Sequence, residues 1–438
     1  MTLAARITAG QASAGARVDT GGTTLGDAEL VPGLAADLAS GFAVSVGDAA
    51  QLIRLLAAAD GQADAMLLLS PALSPEHTST LMAEASLSRL VSDRADLAAL
   101  TTLTPDAAVA PPHAPTVETD WLLTTSGTTG RPKIVRHRLA SLLRTVKPAQ
   151  VPPPIWGLLY EPTRFAGLQV VLQALTGGGR LIAPAFDAPM PERLTLLADR
   201  GVSHLSATPT LWRRILMDAP ANLAPSQHTR GGEIADRPVL AALAARFPEA
   251  RIRHIYASTE LGVGFSVRDG HPGFPRAWLE SGRDGVDLRI REDTLWVRPP
   301  GAVPEGVAAS ALTPDDDGYF PTGDRVELTK DRVLFLGRDA TTVNIGGTKI
   351  QPEAVERVLN EHPDIAIARI AHRPNPIAGS LLTLTLVPRD SQADPKTLRR
   401  AISAFCKERL PREAMPAQIK LVSELELNAA GKLTRGAA

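Results

Sequence analysis

The stretch 124–133, TTSGTTGRPK, holds the densest chemical signal in the chain. Small hydroxylated and glycine residues (Thr125, Ser126, Gly127, Thr128, Thr129) lead into Gly130 and Lys133. Such a loop can turn several backbone N–H groups and hydroxyls toward a polyphosphate, with the lysine as a point charge. It is not a Walker A loop, in which the lysine follows the second glycine directly. Here Arg131 and Pro132 intervene. Taken alone, the same residues also read as a Ser/Thr/Gly surface loop. Lysine is scarce: it occurs at 133, 147, 330, 349, 396, 407, 420 and 432, and the other 38 of the 46 cations are arginine. A lysine inside a motif is therefore informative, and Lys432, in the turn NAAGK, is a second such position.

The elements that must carry these residues follow from periodicity. Residues 1–115 are Ala/Leu-rich, with helical spacing at 49–60 and 74–85 and a buried strand at 65–70 between them. Asp48 and Ser74 are suited to cap the two helices. From 121 to 258, strand and helix patterns alternate, which predicts a largely parallel, buried sheet. The stretch 121–146 reads as an apolar run, the loop, and a segment with helical spacing. From 285 the pattern becomes that of antiparallel hairpins. From about 340 a compact unit of ~100 residues reads as β-α-β-β-α-β. The predicted fold class is thus α/β: a large N-terminal domain, 1–338, with mostly parallel helix-packed sheets plus a β-rich part, then a small α+β domain, 339–438. Residues 1–115 form a shortened, divergent start.

Composition bounds the function. With 46 Lys+Arg against 47 Asp+Glu, the net charge of −1 gives no electrostatic case for nucleic acid or anionic membrane as the main partner. The lone Cys406 excludes an intrachain disulfide framework and a cysteine-based zinc site. No apolar run reaches the ~20 residues of a membrane helix. The first ten residues lack the apolar core of a signal peptide. A soluble, cytoplasmic, multidomain enzyme is the expectation.

The loop resembles the phosphate loop of the adenylate-forming superfamily of acyl-CoA synthetases, adenylation domains of nonribosomal peptide synthetases, and luciferases. Four further motifs of that superfamily follow in order. IYASTELG (255–262) resembles its Tyr-Gly-x-Thr-Glu motif. GYFPTGDRVEL (318–328) resembles its Tyr-x-Thr-Gly-Asp motif. GRDATTVNIGGTKIQPEAVE (337–356) resembles its hinge, and NAAGKLTR (428–435) its C-terminal lysine motif.

The resemblance implies attack of a carboxylate on the α-phosphorus of ATP, giving an acyl-adenylate and pyrophosphate. Such displacement depends on positioning and charge neutralisation. It implies that Thr125, Ser126, Gly127, Thr128, Thr129, Gly130 and Lys133 hold the β- and γ-phosphates. Glu260 would ligate Mg²⁺ and Thr259 would contact the α-phosphate. Tyr256 would stack on adenine, with His254, Ala257 and Ser258 beside it. Gly231, Gly232 and Glu233 would line the adenine and acyl pockets, with Arg164, Phe165, Ala166 and Leu261 completing the acyl side. Asp324 would accept both ribose hydroxyls, and Arg338 would add a second ribose contact. Lys432 would swing over the site and bridge carboxylate and α-phosphate as the main catalytic cation. Gly346 and Gly347 would let a pantetheine arm of CoA pass, near Lys349.

Departures from the pattern carry expectations of their own. Ala257 stands where the superfamily has Gly, His254 where it has an amide, and Ala340 where its hinge has Asp or Lys, so the usual polar hinge contacts should be missing. Arg164 replaces a His; it would pair either with a second anionic group on the substrate or with Glu161. The trimmed N-terminal part could expose apolar surface and favour a homodimer. No Asp stands where amino-acid-activating domains hold the ammonium. The leading reading is acyl-CoA formation through an adenylate. The alternatives are loading of a carrier protein, non-catalytic nucleotide binding and a luciferase-type oxygenase.

Overall fold

The computed structural model describes residues 1–9, 17–125, 132–147, 152–301, 305–306, 312–376, 379–428 and 431–433. The central sheet has eight strands in the order Gly262–Val267, Arg251–Ser258, Gln227–Gly231, His204–Ala207, Ile155–Gly157, Arg180–Ile182, Val18–Asp19 and Thr24–Leu25. Its inner pairs are parallel, and antiparallel strands close both edges. Helices connect the strands, and two of them carry side-chain caps. Thr208 accepts from Leu211 N and Asp236 from Val239 N, as N-cap residues do.

The N-terminal part builds a second sheet of six strands: Glu305–Gly306, Ile134–His137, Asp120–Thr124, Ala65–Leu68, Phe42–Ser45 and Leu90–Ser92. Asp48 and Ser74 cap their helices as expected, accepting from Gln51 N and His77 N. One local expectation changes. After the phosphate loop the chain does not enter a helix; it runs as the strand Ile134–His137, antiparallel to Asp120–Thr124, and only Leu139–Leu142 is helical. Ile134 and Val135 are β-branched and buried in the sheet, which outweighs the helical spacing.

A five-stranded antiparallel sheet follows, built from Phe274–Pro275, Arg332–Arg338, Phe320–Leu328, Thr294–Arg298 and Asp287–Arg291. The C-terminal part starts with the hairpin Val343–Ile345/Thr348–Ile350. A three-stranded sheet (Ile365–Asn375, Gly379–Pro388, Gln418–Leu421) then packs with the helices Pro352–Leu359 and Pro395–Arg409 around its own apolar cluster. At the junction Asp339 takes polar contacts that Ala340 cannot make: it pairs with Arg325 at 3.6 Å and accepts from Thr294 Oγ1 at 3.3 Å. The expected loss of polar contacts there is therefore made good one residue earlier.

Leu3 and Ile7 are buried in the main core. The only large apolar side chains exposed among the described residues are Met1, Val117, Met217 and Leu328. The apolar surface that motivated a homodimer is not seen, and nothing else here supports one. No helix among the described residues is long and apolar enough to cross a membrane.

Candidate active site

One cavity of about 1070 Å³ lies over the central sheet. Its floor comes from alternate residues of two parallel neighbours, Gln227–Gly231 and Arg251–Ser258. The register pairs Thr229 with Arg253 and Gly231 with Ile255, so these side chains share a face. Its roof is the helix Phe165–Thr176, whose Phe165, Ala166, Gln169 and Gln173 line the space. They recur at one and three to four residues, as one helix face requires.

The second sheet delivers the phosphate loop to the rim. Thr124 pairs with Ile134, and Thr125 N donates to Lys133 O at 2.8 Å, closing the base of the loop. Thr124, Thr125 and Lys133 line the cavity. Ser126, Gly127, Thr128, Thr129 and Gly130 lie outside the described residues. His137, on the strand leaving the loop, donates from Nε2 to Thr259 O at 2.8 Å and stacks on Phe165 at 5.7 Å. Burial pushes its pKa down to about 4, so it serves as a neutral tether. That bond, with Leu261 N donating to Ser258 Oγ at 3.1 Å, fixes the turn that presents Ser258, Thr259 and Glu260 to the cavity.

Lys432 arrives from the other end of the chain. It sits in a turn closed by Gly431 N to Asn428 O and Asn428 N to Lys432 O, both 2.8 Å. Thr208 Oγ1 donates to Gly431 O and docks that turn on the central sheet's helix layer. The lysine lines the cavity so tightly that a methyl group on Gly232 would lie 3.0 Å from its Cε and 3.5 Å from its Nζ. Gly232 has φ +78°, the left-handed region that favours glycine. Burial holds the Lys432 pKa below the ordinary lysine range; Glu233, Asp324 and Glu260 pull the other way, while Arg338 adds to the depression. Glu233 also accepts from Thr210 N at 3.0 Å, at the start of the helix Pro209–Asp218. Cations far apart in the chain, Lys133 and Lys432, thus face one space together with Glu260 and Arg338.

Several expected residues sit differently. Tyr256 stacks in parallel with Phe265 (5.0 Å, 15°) and Phe335 (5.4 Å, 8°), and its hydroxyl donates to Asp324 Oδ2. It packs here as a half-buried ring against the β-rich cluster. Asp324 also accepts from Arg338 Nε at 3.0 Å, so each carboxylate oxygen already has one partner; its remaining lone pairs still allow a diol. His254 does not line the cavity, and burial lowers its pKa to about 4. Leu261 is buried in the apolar cluster of Phe265, Val267 and Phe274 and does not line the cavity. Leu261 closes the turn between the strands Arg251–Ser258 and Gly262–Val267, where strand alternation no longer sets the side-chain direction. Gly346 and Gly347 form an exposed hairpin turn with φ +58° and +89°, and Gly347 N donates to Asn344 Oδ1 at 3.0 Å. The turn itself requires both glycines. Neither they nor Lys349 line the cavity. Arg164 donates from Nη1 to Thr124 Oγ1 (2.9 Å) and O (3.2 Å), with Nε 3.7 Å from Glu161 Oε1. This is the Glu161 alternative for Arg164, with the phosphate-loop strand braced as well. Sequence reasoning missed His137, whose partner is 122 positions away.

The model for AMP-binding enzymes matches residues 30–324, and that for the AMP-binding enzyme C-terminal domain matches 354–432. The chain belongs to the AMP-binding enzyme family. Its relatives in that family include CymA of Salinispora arenicola, described as a probable nonribosomal peptide synthetase. CymA is 29% identical over 85% of this chain, which spans only 5% of CymA. Another is the 2-succinylbenzoate–CoA ligase of Geobacillus kaustophilus, 26% identical over 73% of this chain and 68% of the ligase. The ATP-bound crystal structure of MatB from Rhodopseudomonas palustris superposes with a TM-score of 0.76 at 19% identity, covering 99% of this chain and 97% of MatB. That likeness establishes the fold: a large α/β part, a β-rich part and a small C-terminal part.

Proposed function

We propose that this chain activates a carboxylic acid with ATP, releasing pyrophosphate, and then passes the acyl group to the thiol of CoA. The observation that carries the reading is Lys432 half-buried in the cavity that Lys133, Thr259 and Glu260 also face. Two anions, a carboxylate and a triphosphate, must meet for this reaction. A desolvated ammonium between them stabilises the charge that develops as the oxygen attacks the α-phosphorus. Lys133 and the loop it closes would take the β- and γ-phosphates, and Asp324 with Arg338 the ribose. Ala257 and Ser258 flank the expected nucleotide position, and Gly231 and Phe165 the acyl group. Glu260 would hold a magnesium ion that enters with the nucleotide, since Mg²⁺ is usually bound by one or two carboxylates plus phosphate oxygens. The ion would neutralise phosphate charge.

In the second half-reaction the unit 339–438 would rotate about Asp339–Ala340, removing Lys432 and bringing the hairpin of Gly346, Gly347 and Lys349 toward the acyl-adenylate. That motion would reconcile their present exposure with a thiol path. The relatedness to a peptide synthetase favours a second acceptor, the phosphopantetheine arm of a carrier protein. ATP and CoA are cytoplasmic substrates, which would put the enzyme there. The test is pyrophosphate release over a panel of aryl, fatty, dicarboxylic and amino acids, followed by thioester formation with free CoA or a holo carrier protein. No release with any acid, and no nucleotide binding by calorimetry, would end the proposal.

A further inference from the structure

Past the reacting end, the cavity runs along the strand Arg251–Ser258 toward its start. Register pairs His254 with Val267 and Ile255 with Ser266, so one more step of the ladder sets Arg253 beside Arg268. Both line the cavity. Like charges directly opposite on one sheet face destabilise the sheet. A third cation is brought over them deliberately: Gln173 at the end of the roof helix accepts from Lys147 N at 3.2 Å and donates to Lys147 O at 3.3 Å, and Lys147 lines the same space. Arg144, exposed at the rim, donates to Val263 O.

Little of this charge is balanced locally. Among the described lining residues at this end the only carboxylate is Asp284, which already accepts from Ser266 N at 2.9 Å and faces Arg283 Nε at 3.5 Å. Burial lowers the pKa values of Lys147 and Arg253, each pushed further down by Arg268 and only partly relieved by Asp284. A neutral group points the same way. Ser266 Oγ belongs to a lining residue only 9% exposed and has no hydrogen-bond partner among the described residues. A buried donor left unpaired is costly, and a ligand oxyanion at this end would satisfy it.

We infer that the acid taken by this chain carries a second anionic group at its far end, held by Lys147, Arg253 and Arg268. The inference rests on the acid-activating reading and names its substrate class. Arg253 precedes Ser258 by five positions, roughly 17 Å along an extended strand; the reach of the guanidinium shortens the span required, so long α,ω-dicarboxylates fit better than malonate-sized ones.

Pyrophosphate release is measured with adipate, suberate and sebacate against hexanoate, octanoate and decanoate. The expected result is a kcat/KM at least tenfold higher for the diacid at the best length. Arg253→Gln with Arg268→Gln should collapse that ratio at least tenfold, through KM. Lys147→Gln, on a loop, provides the same readout if the sheet variant does not fold. Equal use of both series, or a preference that survives in Lys147→Gln, overturns the inference and leaves acid activation standing. If neither series releases pyrophosphate, acid activation is what fails, and calorimetric binding of sebacate against decanoate decides the far-end site. Sebacate binding that weakens at least tenfold in Lys147→Gln supports it; equal binding, or none, overturns it.

Discussion

Replacing Lys432 by Ala should separate catalysis from folding. The ammonium is buried between Glu233, Glu260 and Asp324, with Arg338 opposing it. An ionic donor positioned at developing charge in a closed site contributes ~3–4 kcal/mol, or about 10²–10³-fold in rate. Pyrophosphate release from ATP plus acid should fall by that factor. Thioester formation from supplied acyl-adenylate should not, because Lys432 would have left by then. Stability should change little, because the depressed Lys432 pKa shows that the fold already disfavours its charged form, and Glu233 keeps its bond to Thr210 N. The pH profile adds a signed check. The protonated amine is the active form and its pKa is depressed, so the first half-reaction should decline with rising pH below the ordinary lysine range, and the variant's residual rate should lack that limb. Gly232→Ala supplies a graded version. Its Cβ would press on Lys432 Cε at 3.0 Å, in a backbone region costing an L-residue ~1–2 kcal/mol. Its rate should fall between wild type and Lys432→Ala. Pyrophosphate release within threefold of wild type in Lys432→Ala, or parallel loss of both half-reactions, would refute the reasoning.

Three further outcomes are expected. His137, His204, His228 and His254 have pKa values lowered to about 4, burial being the main cause. Between pH 6.5 and 4 the unfolded chain takes protons that the folded chain refuses, so stability should fall with falling pH, by up to about 1.4 kcal/mol per unit per histidine; denaturant titrations giving the same free energy at pH 7 and 5 would contradict this. Arg164→Ala should cost roughly 1–3 kcal/mol, by stranding Thr124 Oγ1 and leaving the Glu161 charge without its cation, without altering which acid is preferred; a changed acid panel with unchanged stability would reverse the assignment. His137→Phe keeps the ring but loses the bond to Thr259 O, and should slow pyrophosphate release about tenfold, in line with roughly 1.4 kcal/mol of lost positioning, with little change in Tm; a wild-type rate would remove its tethering role.

The order of motifs and the alternation of elements were legible in the sequence because they are local. Asp48, Ser74 and the strand Arg251–Ser258 read correctly from spacing and caps. What a strand residue faces is not local. Leu261 reads as a pocket residue beside Thr259 and Glu260, yet it packs into the β-rich core from the turn between two strands. Tyr256 reads as an open ring, but Phe335, on a distant strand, supplies one of its stacking partners. The glycines at 346 and 347 have a sufficient cause in their own turn. His137 could not be read at all, since its role is a bond to a carbonyl brought near only by the meeting of two sheets. Arg251 and Arg253 alternate in RIRHIYAS and could have signalled a cationic face; Arg268, their neighbour, needed the register.

The two ends of the cavity differ in how their charge is balanced, and that difference orders the chemistry. At the reacting end, Lys432 and Arg338 face Glu233, Glu260 and Asp324, so nucleotide phosphates would add to an existing network. At the far end, Lys147, Arg253 and Arg268 face one already engaged carboxylate. Half-exposed charges are screened by salt and buried ones much less. A second anion would therefore be read by a salt-sensitive interaction that governs capture, while the Lys432 step keeps its rate. Raising ionic strength should thus raise KM for a long diacid without lowering kcat, and a fall in kcat alone would place the uncompensated cations in the chemical step instead.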